Sequence, residues 1–181
     1  MPAGAVLLAQ DETILRLFPV LRRAWGLRGQ QGKVYISGRN ARRVWFATIN
    51  LRTGHRLLLR RMRMRQADFQ DFLRLVRQRY GRRSVWMLLD EAPCHTAKRS
   101  LALAAQLGIR LIFLPKQCSE LNAIDQLWKD LKGQISANYQ YASIDQHAEQ
   151  AEAWLRFLSK REALRKAGIL SKNFWLRSFL Q

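Results

Sequence analysis

Acid is scarce in this chain. Thirteen Asp and Glu stand against thirty-two Lys and Arg in 181 residues, a formal charge of +19. Cysteine is scarcer still. Cys94 and Cys118 are the only two, too few for a disulfide framework, so a reducing cytosol is the expected compartment. With four prolines and ten glycines there is no low-complexity tract, internal repeat or linker long enough to divide the chain. No charge-free apolar run reaches the roughly 18 residues of a membrane span. The opening MPAGAVLLAQDE lacks the basic start of a signal peptide. The chain is expected to form one domain over residues 1–181, located in the cytoplasm, with no membrane partner.

What is present in excess is arginine. The first 99 residues carry 21 basic and 6 acidic side chains, and Arg outnumbers Lys 24 to 8 overall. Solubility asks only for a net charge of about 2–8. Arg is the better bidentate ligand for phosphate. A polyanion is therefore the expected partner, and nucleic acid is the commonest one.

Hydrophobic periodicity divides the chain into strands and helices. Residues 5–10 form an apolar run that ends at Asp11-Glu12 and reads as a buried strand. Residues 13–32 are irregular and basic, and residues 33–37 fit a short strand. Residues 43–51 (RVWFATINL) form a strong strand. A turn at Arg52-Thr53-Gly54-His55, with a solvated His55, leads to a return strand at 56–61. A helix over 66–80 shows one apolar face: Phe69, Phe72, Leu73, Val76 and Tyr80. Strand 84–89 runs into Asp90, helix 96–107 follows, and strand 110–114 stops at Pro115. A helix over 123–137 carries Leu127, Trp128 and Leu131, and another begins at Ser143 with Gln146 completing a capping box. Trp128 and Trp154 lie on apolar helical stripes and are expected in the core. The order predicts an α/β fold: a mixed five-stranded sheet with helices on both faces.

The few acids are placed suggestively. Asp11 and Asp90 each follow a buried strand, where sites form in open α/β sheets. Asp125 lies in the first turn of a helix. Singly, each has another reading: Asp11 a turn, Asp90 a helix cap, Asp125 an i,i+4 pair with Lys129. Together they suit a hard cation such as Mg²⁺ or Mn²⁺. A pair of such ions can hold the attacking and leaving oxygens of a phosphodiester displacement. Cys94, His95 and Cys118 lack zinc-ligand spacing.

The segments LLDEAPCH and IRLIFLPKQCSELNAIDQLW, with 34 residues between Asp90 and Asp125, resemble the DDE/DDD transposases of the mariner superfamily, in particular the bacterial insertion-sequence branch. QDET, AWGLRGQQ, RVWFATINLRTG and AGILSKNFWLR carry the likeness along essentially the whole chain. The resemblance implies a ribonuclease-H-like fold. It also implies cleavage of DNA at transposon ends, with strand transfer into target DNA, using two Mg²⁺ or Mn²⁺ ions. Asp11, Asp90 and Asp125 match the three catalytic and metal-binding acids. His95 stands where such transposases often have His and is expected to support the active-site loop or to contact phosphate; Glu91, beside the second acid, is a further candidate for site support. The chain departs from the usual pattern at Glu91, where Asn is common, at the Lys116–Ser119 loop, at Ala123, and at Asp125, where Glu is more frequent. Such transposases carry helix-turn-helix domains upstream and act as dimers on paired ends. This sequence starts at the catalytic domain, which fits a second reading frame working with a separate helix-turn-helix protein, a truncation or a relic; the resemblance also implies a place on the bacterial nucleoid. Two other functions fit the same residues: a DNA-binding remnant without activity, and a hydrolase of RNA–DNA hybrids.

Phosphate contact is expected from Arg22, Arg23, Arg28, Lys33, Arg42 and Arg43 in and beside the basic loop. It is also expected from Arg61, Arg63 and Arg65, which share one face if extended. A solvated edge strand protected by charge is the other reading of that run. Trp25, inside the loop, fits stacking on a base or on protein.

Overall fold

A computed structural model describes Pro2 and residues 4–180. Its strands are β1 (Val6–Arg16), β2 (Arg42–Asn50), β3 (Arg56–Arg61), β4 (Val85–Leu89) and β5 (Ile109–Phe113). The helices are α1 (Gln66–Tyr80), α2 (Pro93–Thr96), α3 (Lys98–Gln106), α4 (Ala123–Ile135), α5 (Ile144–Phe157), α6 (Lys160–Lys166) and α7 (Arg177–Leu180). The strands form one mixed sheet in the order β3-β2-β1-β4-β5. β1, β2 and β3 are antiparallel neighbours, and β4 and β5 run parallel to β1.

Alternation along the strands divides the apolar residues between two cores. Val6 and Leu8 of β1 join Phe46, Met87 and Leu89 under α1 and α3, where Phe69, Phe72, Leu73 and Val76 are fully buried. Leu7 and Ala9 face the other way, with Ala47, Ile49 and Leu88, against α4, α5 and α6. Strands buried on both faces read as continuous apolar runs rather than alternating ones, which is what VLLA at the start of β1 shows. The β2–β3 hairpin closes as its composition predicts. Asn50 Oδ1 accepts from the backbone N–H of Arg52 and Thr53, both at 3.0 Å, and Gly54 supplies a φ of +69°.

Several expectations change. β1 does not end at Asp11 but runs to Arg16, because β2 continues to pair with it after β4 has stopped at Ala9. Buried Thr13 and Leu15 supply the alternation there. Residues 33–37 form no strand. Tyr35 is exposed, and Ser37 is instead tied to Gln140 by hydrogen bonds of 2.6 and 2.9 Å. The helix expected over 96–107 is interrupted at Ala97, whose ψ of 132° separates the one-turn α2 from α3. His55 is half-buried rather than solvated: Arg79 Nε–H donates to its Nε2, and its Nδ1 lies 3.5 Å from Tyr80 Oη. Trp128 is in the core, while Trp154 is only partly buried at its margin.

Candidate metal and nucleic-acid site

The parallel ladder of β1 and β4 ends with Ala9 opposite Leu88. Asp11 stands two residues further along β1, and Asp90 two residues beyond Leu88, just past the end of β4. The period of two gives both the face of Leu7, Ala9 and Leu88, which is the face covered by α4. The N-terminus of α4 is held there by Asn122, whose Nδ2–H donates to the Gln10 carbonyl at 2.8 Å across 112 residues of sequence. That bond brings Asp125, in the first turn of α4, to the same place. Asp11, Asp90 and Asp125 line one cavity of about 500 Å³, together with Glu91, Ala92, residues 114–119 and Asn122. The three acids picked out by position and spacing are thus neighbours.

Each carboxylate has a different setting. Asp11 is largely enclosed and has no ion pair among the described residues. Burial pushes it up from 3.8 to about 7, with further elevation from Glu12, Asp90 and Asp125. Asp90 is lowered, chiefly by its hydrogen bond from His95 and then by the Ala92 N–H. Both of these bonds fall on Oδ1, at 2.8 Å from His95 Nδ1 and 3.0 Å from Ala92 N. Asp125 pairs with Lys129 at 2.8 Å, so its other reading as an i,i+4 partner holds as well. Glu91 is turned to Lys116, 3.4 Å away, on the cavity wall.

His95 is wholly enclosed, which excludes direct contact with phosphate and leaves support of the site. Its Nδ1–H donates to Asp90 Oδ1 and to the Asp90 carbonyl at 3.1 Å, and its Nε2–H donates to Glu12 Oε1 at 2.9 Å. Burial opposes the charged ring, but hydrogen bonds to Asp90, Cys94 and Glu12 outweigh it and push His95 up to about 12. Glu12, Cys94 and His95 present ligand atoms within 4.8 Å of one another. Both ring nitrogens of His95 are already hydrogen-bonded to carboxylates, one to Asp90 and one to Glu12. Cys94 and Cys118 are free thiols.

Sequence reasoning did not single out Glu12, Asn122 or Lys132. Lys132 lies two turns along α4 from Asp125. Burial lowers it, against the pull of Asp11 and Asp125. Its signal was the i+7 spacing from Asp125, with Lys129 at i+4 on the same helical face.

The basic candidates divide. Arg22, Arg23, Arg28, Lys33 and Arg42 are exposed in or beside the long loop. That loop is pinned at Arg22, whose N–H donates to Asn138 Oδ1 at 2.8 Å and whose carbonyl accepts from Asn138 Nδ2 at 2.9 Å. Trp25 stands bare on it. Arg43 grips Asp145 with two donors, at 3.0 and 2.8 Å, and ties β2 to α5. Arg61 is shared between Asp68 at 3.4 Å and Asp71 at 3.2 Å. Arg61, Arg63 and Arg65 do not share a strand face, because β3 ends at Arg61 and Arg65 is already the N-cap of α1.

Three antiparallel strands followed by two parallel ones, helices on both faces, and acids midway along β1 and just past β4 define a ribonuclease-H-like fold. Residues 6–147 match the family model described as DDE superfamily endonuclease, and the chain belongs to that family. An insertion element IS630 uncharacterized 39 kDa protein of Shigella sonnei is 24% identical over 152 residues, covering 83% of this chain and 44% of that protein. The chain thus spans less than half the length of that curated relative. The Mos1 transposase paired-end complex with left transposon end has a TM-score of 0.71 at 16% identity, over 93% of this chain and 53% of that one. The Mos1 mariner paired-end complex with Mn has a TM-score of 0.70 at 18% identity, over 93% and 53%. The likeness to these structures is one of fold. No helix among the described residues is long and apolar enough to cross a membrane.

Proposed function

We propose that this chain is the catalytic domain of a transposase that cuts DNA at transposon ends and joins the ends to target DNA. The observation that carries the reading is the meeting of Asp11, Asp90 and Asp125 on one cavity, in a protein of charge +19. The donor set is carboxylate oxygen, which suits Mg²⁺ or Mn²⁺. Asp11, raised to about 7 and lacking an ion pair among the described residues, is a carboxylate that a cation would relieve. These three residues would hold two divalent ions, which when bound activate an attacking oxygen and stabilise a leaving one.

The remaining work falls to the chain itself. Asn122 fixes α4 against β1 and so sets Asp125 beside Asp11. His95 holds Asp90 Oδ1 and leaves Oδ2 for a cation. Glu91 and Lys116 close one wall of the cavity. Arg22, Arg23, Arg28, Lys33, Arg42, Arg63 and Arg65 supply exposed charge for phosphate contact. Arg43 and Arg61 are largely committed to carboxylates and contribute less. Transposon ends and target DNA are the proposed partners, in a homodimer on paired ends, with end recognition completed by a helix-turn-helix module.

The test is incubation with labelled terminal-repeat DNA and Mn²⁺. Cleavage by the wild type, lost in Asp90→Ala, supports the enzyme. DNA binding without cleavage leaves only a DNA-binding remnant. Cutting restricted to the RNA of RNA–DNA hybrids reassigns the protein as a hydrolase.

A further inference from the structure

We infer that Glu12 is a positioning residue for the metal site, acting through His95 to fix the carboxylate of Asp90. The inference rests on the reading of Asp90 as a metal ligand. Asp11 and Glu12 are adjacent in sequence but, by the alternation of β1, project from opposite faces of the sheet. Asp11 faces the cavity. Glu12 faces the side covered by α1 and α2, with its side chain only 6% exposed. A carboxylate buried to that degree is costly unless it is paired and hydrogen-bonded. Glu12 Oε1 accepts from Gln10 Nε2–H at 2.7 Å and from His95 Nε2–H at 2.9 Å. The other side of the same ring donates to Asp90 Oδ1 at 2.8 Å and to the Asp90 carbonyl at 3.1 Å. The ring is itself packed against Phe69, with centroids 4.4 Å apart. Gln10, Glu12, His95 and Asp90 therefore form one continuous chain of hydrogen bonds from β1 to the end of β4.

The consequence is geometric. An imidazole bonded at one nitrogen can swing about that bond. Bonded at both, and backed by an aromatic ring, it has one orientation. Apart from His95, the Asp90 carboxylate is held by the Ala92 N–H at 3.0 Å, and its side chain, at the start of a loop, is 59% exposed. The relay orders that side chain before a cation arrives, so binding the ion need not pay for it. Outer partners of metal ligands commonly contribute about 10–100-fold to metal affinity. Glu12 contacts neither cavity nor substrate, so its effect passes through His95.

The experiment measures Mn²⁺ affinity by electron paramagnetic resonance at pH 8, on the whole chain without DNA. Glu12→Leu, which fills the space but offers no acceptor, is expected to weaken Mn²⁺ binding by about tenfold or more. Glu12→Gln, which keeps an acceptor oxygen for His95, is expected to stay near wild type. In cleavage assays Glu12→Leu should need correspondingly more Mn²⁺ and regain activity at saturating metal. Folded Glu12→Leu protein with wild-type Mn²⁺ affinity overturns the inference while leaving the metal site standing. Absence of Mn²⁺ binding by the wild type overturns both. Should Glu12→Leu fail to fold, proton NMR of the wild type decides. Two exchange-protected imidazole N–H resonances from His95, with and without Mg²⁺, support the relay. Free exchange at either nitrogen refutes it.

Discussion

Asp11→Asn should stabilise the metal-free protein at alkaline pH while abolishing its response to metal. In the folded chain Asp11 is raised from 3.8 to about 7 by burial and by Glu12, Asp90 and Asp125. The folded state therefore holds its proton more tightly than the unfolded state. Stability falls as pH rises from about 4 to about 7, and the full penalty persists above that. At 1.36 kcal/mol per pKa unit, the displacement amounts to about 4 kcal/mol at pH 8. Water entering the open cavity reduces this, and about 2 kcal/mol is a reasonable working value. In a domain of this size that corresponds to roughly 4–8 °C in Tm. The assay is thermal unfolding in EDTA from pH 4 to pH 8, repeated with Mn²⁺. The variant should match the wild type near pH 4 and exceed it increasingly up to pH 8. Mn²⁺ should raise the wild-type Tm, more at pH 8 than at pH 6 because binding displaces the Asp11 proton, and leave the variant nearly unchanged. A variant no more stable than wild type at pH 8 in EDTA would refute the assignment of Asp11 as an electrostatically strained ligand.

Other perturbations test the scaffold and the DNA surface separately. Gly54→Ala should destabilise by well over about 1 kcal/mol, since φ is +69° and a Cβ would clash with the Lys160 carbonyl oxygen; urea denaturation reads this directly. Ser143→Ala removes the oxygen that accepts from Gln146 N at 3.1 Å and should cost about 1 kcal/mol, seen as a lower Tm. Arg28→Ala should lower DNA affinity and reduce the log–log salt slope by about 0.9 if it neutralises one phosphate. Arg43→Ala, whose guanidinium is already taken by Asp145, should leave that slope unchanged. An equal loss of slope in both variants would show that ion pairing inside the protein does not withhold Arg43 from DNA.

The sheet and the three aspartates were legible because each leaves a local trace. Buried parallel strands are short apolar runs, and an acid directly after one is conspicuous where acids are few. The spacing of Asp90 and Asp125 added a constraint that reaches beyond either strand. The second half of β1 was obscured for a physical reason. Once β4 departs, DETILR is paired on one side only, so its pattern changes from continuous apolarity to the alternation of Thr13 and Leu15, broken by charge. The arginine run after β3 misled in the opposite sense: its alternation is a property of composition, while the backbone is already turning into α1. Charge partners were the least legible feature. Nothing near Arg43 in sequence announces Asp145, 102 residues away, and nothing near Glu12 announces His95, 83 residues away. Both pairs join different elements across the fold, so they are visible only after the sheet has placed those elements. For Glu12 the local text is silent. Glu12 adjoins Asp11, yet a strand sends neighbouring side chains to opposite faces. One carboxylate then lines the cavity while the other, through His95, braces Asp90 from behind.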